Sequence, residues 1–340
     1  MALPEIDGTE EADHKMTMAA GCATNNEHHV IVAGSVPMEK SAIFPTQKKV
    51  SLPALLVGVL WRGLTHVGTH RQLLRFLLRI PAYTEFVFSS PSFTFKYLTK
   101  DYLVKDFTVA DRASCFIHHY KRLHLALPDG LLRLILQKDV VLLEICEASH
   151  RFTITLGLSR PYDQEGELSL DLRVDDEIVF ILAFTIVPGS VVRSPAAEIL
   201  LISRLQGVKG TYPPISVATK TLHDVAPDAM LLAALQGFAN AFQISEIAAV
   251  SAVMQSSYSE DAAAVFRQAY DHFFAGLEIP KNPAGFYSTP VPIQGKPLSS
   301  IKQGHKLRTK EKRAFKQQVQ VACAAFFEEF APAAAHKLPV

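Results

Sequence analysis

The chain has 340 residues, 49% hydrophobic and 20% charged, enough for one large domain or two small ones and too apolar for wholesale disorder. Lys and Arg number 34 against 33 Asp and Glu, a formal net charge of +1, so any basic surface must be local and no global pull toward nucleic acid is built in. Cys22, Cys115, Cys146 and Cys323 lie far apart without a C-x-x-C pair, which argues against a zinc knuckle or a disulfide framework and fits a reducing compartment.

Residues 1–49 are polar and aperiodic and are expected as a poorly ordered tail, with a short strand at 30–33. Met1 to Lys15 has no apolar signal core. The run from Leu52 to Trp61 contains Pro53 and is followed by Arg62, far short of the roughly 20 apolar residues that span a bilayer. The expectation is a soluble cytoplasmic protein, at most peripheral at an inner membrane. From 52 to 80 the pattern is helical, with Leu73, Leu74, Leu77 and Ile80 on one side and Arg71, Arg75 and Arg79 on another. Further helices are predicted at 92–103, 109–125 and 129–137, so 50–138 reads as a mainly helical region.

A mixed α/β core is expected over 139–330, ahead of a flexible end at 331–340. Strand-like runs occupy 140–148, 151–158, 166–174 and 177–187, with Asp175-Asp176 as a hairpin turn, and a fifth strand covers 199–205. A helix at 227–242, a strand at 244–250, a helix at 261–275, a strand at 286–293 and an amphipathic helix at 309–330 complete the order. The predicted fold is mixed α/β, an antiparallel meander continuing into β-α-β-α-β with helices packed on one sheet. Cys115, Cys146 and Cys323 have apolar neighbours and are expected as small core residues.

An ordered series of segments carries a family resemblance. RASCFIHHYKRL from Arg112, EGELSLDL from Glu165, ILLISRLQGVKG from Ile199, the run from Ile215 to Ser251, and YDHFF from Tyr270 resemble the VirK/YbjX family of bacterial proteins. That resemblance implies links to virulence, envelope integrity and antimicrobial-peptide resistance, through a domain of unknown function. The chain departs from the pattern at Asp224 and Ala226, where the family has Gly and Arg, and at Phe274, where it has Trp. After Val250-Ser251 the family's Asn and His are replaced by Ala252 and then Met254-Gln255-Ser256.

The element order also resembles that of acyl-CoA N-acyltransferases, in which the loop after the fourth strand holds the CoA pyrophosphate. Their Arg/Gln-x-x-Gly-x-Gly/Ala signature is loosely matched by Gln206-Gly207-Val208-Lys209-Gly210, although the stretch leading on to the helix at 227 is long. Glycines let a backbone approach a ligand and lysines supply charge, so Gln206, Gly207, Lys209, Gly210, Thr219 and Lys220 are the candidate CoA contacts; the alternative is an ordinary glycine turn. Glu167, His119 and Tyr270 are the candidate proton-handling residues, with acyl-CoA as co-substrate and an amine or hydroxyl as acceptor.

Each of these has a plainer alternative. His119, with His118, Tyr120 and His124, fits a helix packed on the sheet, and the polar alternation Glu167, Ser169, Asp171 fits a solvent-facing side as well as a cleft floor. His66 and His70 have metal-ligand spacing but stand among Arg62 and Arg71, so no metal is expected. A basic run from Lys302 through Lys306, Arg308, Lys310, Lys312, Arg313 and Lys316, like the arginines near 75, is a candidate contact for an anionic membrane surface. Without interleaved aromatics it gives no expectation of nucleic-acid binding. The second functional class is thus a non-enzymatic accessory factor binding lipid or a client protein.

Overall fold

The computed structural model describes residues 66–159 and 163–330. The expected tail with its strand at 30–33, the start of the helical stretch at 52, and the final ten residues lie outside the described residues.

Helix α1 (Val67–Leu77) buries Leu73, Phe76 and Leu77 and leaves Arg71 and Arg75 exposed. Pro81 then opens α2 (Pro81–Ser89), which the sequence reading passed over; proline suits a first turn because its missing N–H would be unpaired there. The helix expected at 92–103 is instead a 3-10 helix, Pro91–Leu98, followed by irregular chain. Helix α3 (Val109–Ala126) starts at a capping box in which Thr108 Oγ1 accepts from Asp111 N–H at 3.1 Å and Thr108 N–H donates back to Asp111 Oδ2. Helix α4 (Asp129–Gln137) follows Pro128.

Strands β1 (Val140–Glu147), β2 (His150–Leu158), β3 (Leu168–Val174) and β4 (Glu177–Pro188) form an antiparallel meander. Its turns at Ala148-Ser149 and Asp175-Asp176 each place two consecutive residues at positive φ, the backbone whose twist matches the flanking strands. β5 (Glu198–Gly207) adds antiparallel to β4. Helices α5 (Tyr212–Thr221) and α6 (Pro227–Ala241) carry the chain across to β6 (Glu246–Ala249), parallel to β5. A helical stretch follows, built from α7 (Ala263–Phe266), a π-helical turn (Arg267–His272) and α8 (Phe273–Gly276). It leads to β7 (Tyr287–Pro290), antiparallel to β6, and α9 (Lys306–Glu328) closes the described chain. The seven strands stand in chain order in one mixed sheet, the α/β arrangement expected, with a helical N-terminal part. The long stretch before 227 is not loop: four residues, 208–211, separate β5 from α5.

Helices cover both faces. Phe184 of β4 meets Phe238 of α6 edge-on with centroids 5.0 Å apart, and Phe238 meets Phe327 of α9 at 5.2 Å. A Cβ on Gly237 would stand 2.4 Å from the Gln320 carbonyl, so glycine is what lets α6 and α9 approach. Leu168, the register partner of Phe184, shares that face, which turns Glu167 to the opposite side, toward Tyr120 of α3. There the polar alternation of β3 is not solvent-facing: Glu167, Ser169, Asp171 and Arg173 are all buried. The segments above it carry polar tips, such as the Tyr102 and Tyr120 hydroxyls, that accommodate a polar sheet face. Cys115 and Cys323 are buried as expected, but Cys146 is exposed because it lies near the tip of the edge strand β1.

Candidate functional site

β5 pairs with β6 only at Leu200, Leu201 and Ile202, and then runs on to Gly207 against β4 alone. A register shift between Ala183 and Phe184 leaves Ser203 bulged at the point where β6 departs. Beyond it the free edge of β5 points backbone groups into the gap, and buried backbone donors demand partners. Leu205 N–H finds one in the hydroxyl of Tyr270, from the π-helical turn, at 3.4 Å. Burial, followed by the charge of Glu165, pushes the Tyr270 hydroxyl far above its ordinary pKa, so it keeps its proton at neutral pH.

Three irregular segments meet over this gap. Val104 bridges to Gln255, and Leu103 N–H donates to the Gln164 carbonyl at 2.7 Å, tying together the segments near 104, 164 and 255. At their junction lies the carboxylate of Glu165. Its Oε1 accepts from Gln255 Nε2 at 2.6 Å and Ser257 Oγ at 2.5 Å, and Arg204 Nε stands 3.3 Å from its Oε2. Ser203 Oγ donates to the Glu165 carbonyl at 2.5 Å, so the bulge itself anchors this residue. With its amide oxygen turned to the guanidinium, Gln206 accepts from Arg204 Nε at 2.9 Å. The result is a buried acid, a cation and a protonated phenol, gathered where β5 has no strand partner on that side.

Residues 57–322 match the profile of a family described as "Protein of unknown function (DUF535)". The match takes in more than half of the 340 residues. The chain belongs to this family. It is the VirK/YbjX family that the motif series indicated, and no curated protein and no solved structure matches the chain. Within the VirK/YbjX pattern the departure after Val250-Ser251 falls at the gap, whereas Asp224 pairs with Arg308 of α9. Gln255, in the stretch where the family has Asn and His, is the residue that holds Glu165, while Phe274 is buried against Tyr287 with centroids 5.3 Å apart.

The expected site residues separate into groups. Tyr270 and Gln206 lie at the gap. Glu167 lies in the core, 0% exposed, and accepts from Lys96 Nζ at 3.1 Å, Tyr102 Oη at 2.5 Å and Tyr120 Oη. Burial raises its carboxyl pKa, opposed by the Lys96 charge and the two phenols. His119 Nδ1 accepts from Ile186 N–H at 3.0 Å, on the length of β4 that β3 no longer covers. Its Nε2 has no hydrogen-bond partner among the described residues, and burial holds the ring well below its ordinary pKa, hence neutral.

Gly207, Lys209 and Gly210 form the exposed β5–α5 loop, with Gly210 at φ +92°. The loop is tied down by Val208 N–H and Thr211 Oγ1, both donating to the Val179 carbonyl. Thr219 donates to the Ile215 carbonyl within α5, and Lys220 is exposed at that helix's last turn. At 1.5 Å per residue this is about 12 Å from Tyr212, so the two halves of the expected phosphate site are not brought together. His70 Nδ1 sits 3.3 Å from the Tyr97 hydroxyl and stacks on Phe95, and no group of three His, Cys, Asp or Glu that could hold a metal occurs among the described residues.

Sequence reasoning gave Arg204, Gln255 and Ser257 no functional role, and noted Glu165 as the start of a family motif. Their separations of 39 to 92 residues along the chain leave no local signal.

Proposed function

We propose that the chain is an acyl-CoA-dependent transferase whose reaction centre is the gap beside β5. The observation that carries this reading is the edge of β5 from Ser203 to Gly207, which no second strand pairs, with the Tyr270 hydroxyl and the Glu165 carboxylate beside it. An extended, amide-bearing chain such as the pantetheine arm of CoA can pair with a strand edge by main-chain hydrogen bonds. The diphosphate at its other end then falls to the β5–α5 loop. Lys209, Gly210 and Tyr212 N–H groups and the Lys209 ammonium are the donors there, because Pro213 and Pro214 have no N–H to give.

In this reading Glu165 takes the proton of the acceptor amine or hydroxyl as its nitrogen or oxygen attacks the thioester carbon. Leu205 N–H stabilises the oxyanion, the C–S bond breaks, and the Tyr270 hydroxyl donates a hydrogen bond to the leaving thiolate, which takes its proton from solvent. Arg204 holds the Glu165 carboxylate in place, and solvent then takes up the proton from Glu165. The base function that alternation suggested for Glu167 passes to Glu165, two residues earlier. Entry is through the 252–262 stretch, whose regular structure is limited to single 3-10 turns.

The test is calorimetric titration with CoA and acetyl-CoA. Saturable binding is expected, weakened at least threefold by Lys209→Ala and competed by acetyl-CoA. No heat at concentrations that detect a dissociation constant of about 1 mM, some 4 kcal/mol, sinks the transferase.

A further inference from the structure

Charge along this chain is strongly segregated. Between 291 and 320 eight Lys or Arg face a single acid, Glu311, a local net charge of +7 in a chain whose total is +1. Elsewhere in the described structure several cations pair with carboxylates, among them Lys96 with Glu167, Arg122 with Glu198, Arg173 with Asp139 and Arg204 with Glu165. In this stretch Lys296 pairs with Glu278 and Arg308 with Asp224. Lys302, Lys306, Lys310, Lys312, Arg313 and Lys316 have no carboxylate partner among the described residues; Lys312 and Arg313 donate to the carbonyls of Asp224 and Lys296 instead. Burial and the neighbouring Arg313 and Lys312 charges lower the Lys316 pKa, as expected where cations crowd without an anion.

The same surface is apolar at chosen points. Leu307, in the first turn of α9, is 69% exposed, and Leu298, in the segment leading to it, is 39% exposed. Lys310 follows Leu307 by three residues and so shares its side of the helix, while Lys302 lies on the approach. A soluble polyanion would use the cations and gain nothing from the leucines. A bilayer with anionic headgroups uses both, the cations at the headgroup plane and the leucines just below it.

We propose that the start of α9, with the 296–305 segment before it, docks the protein on an anionic lipid bilayer. This does not depend on the transferase reading, since the residues involved are separate from the gap.

The full chain is mixed with vesicles of phosphatidylcholine alone or with 30% phosphatidylglycerol (about a third anionic, enough for surface attraction) and sedimented across a salt series. Binding is expected to the anionic vesicles only, falling steeply as salt rises. Lys302→Glu/Lys310→Glu is expected to weaken it at least about tenfold, from two reversed charges. Leu307→Gln is expected to weaken it about threefold, from the lost apolar insertion. All three positions are exposed, so circular dichroism should show an unchanged fold. Absence of binding at low salt overturns the proposal, as does binding that neither variant alters. Tighter binding to a single-stranded oligonucleotide than to vesicles, insensitive to Leu307→Gln, also overturns it by making the surface a nucleic-acid one.

Discussion

Glu165 and Glu167 are two residues apart, both buried, and both partnered by a cation and hydroxyl groups, yet they sit in different surroundings. Glu167 is enclosed by Lys96, Tyr102 and Tyr120, all from the helical N-terminal part, and cements that part to the sheet. Glu165 is held by Arg204, Gln255 and Ser257, from a strand end and an irregular segment, beside backbone that the sheet leaves unpaired. Gly166 makes the switch possible: a Cβ there would lie 2.9 Å from that of Ala183, so only glycine lets the chain cross the sheet between the two acids. Burial alone therefore does not set a carboxylate's role; the stiffness and connectivity of its partners differ between these two acids.

The sharpest way to break this comparison is Glu165→Gln. Acyl transfer is expected to fall about a thousandfold, within the range for loss of a general base, with CoA affinity unchanged by calorimetry. The counterpart is Glu167→Ala, which strands Lys96 and two phenols in the core and should cost about 3–5 kcal/mol of stability in urea unfolding. If Glu167→Gln abolished transfer while leaving the urea midpoint in place, the two acids would exchange roles. A smaller effect concerns His119, whose ring stays neutral in the folded chain. Below about pH 6.5 the unfolded chain gains a proton there that the folded chain does not, so stability is lost as pH falls, by up to about 1.4 kcal/mol per pH unit. His119→Gln keeps an acceptor for Ile186 N–H and should remove that slope; urea midpoints at pH 7 and pH 5 for both proteins give the difference.

Much of this fold can be read from the chain. Period-two alternation and the Asp175-Asp176 turn mark the meander, and the apolar stripes of α3, α6 and α9 mark the packed helices. Helix α5 was hidden because Tyr212-Pro213-Pro214 resembles a loop, although two prolines in a first turn are compatible with a helix. Alternation at Glu167, Ser169 and Asp171 gave the right strand and left its polar side ambiguous, because periodicity says which residues share a face and not what covers it. The Glu165 cluster was least legible. Its members come from 165, 204, 255 and 257, and only the closure of the sheet brings the other three within 3.3 Å of Glu165.

The strand order has a kinetic consequence. From β1 to β5 every strand pairs with its predecessor in the chain, so each addition closes a short loop at small entropic cost. The parallel β5–β6 pair cannot form until the chain between them, including α5 and α6, has crossed the sheet. The meander is thus the natural folding nucleus and the β6–β7 unit a late arrival. The gap beside β5 lies on the seam between them, so reactivity, if it resides there, is acquired only in the last step of folding and is the first property lost when the late unit opens.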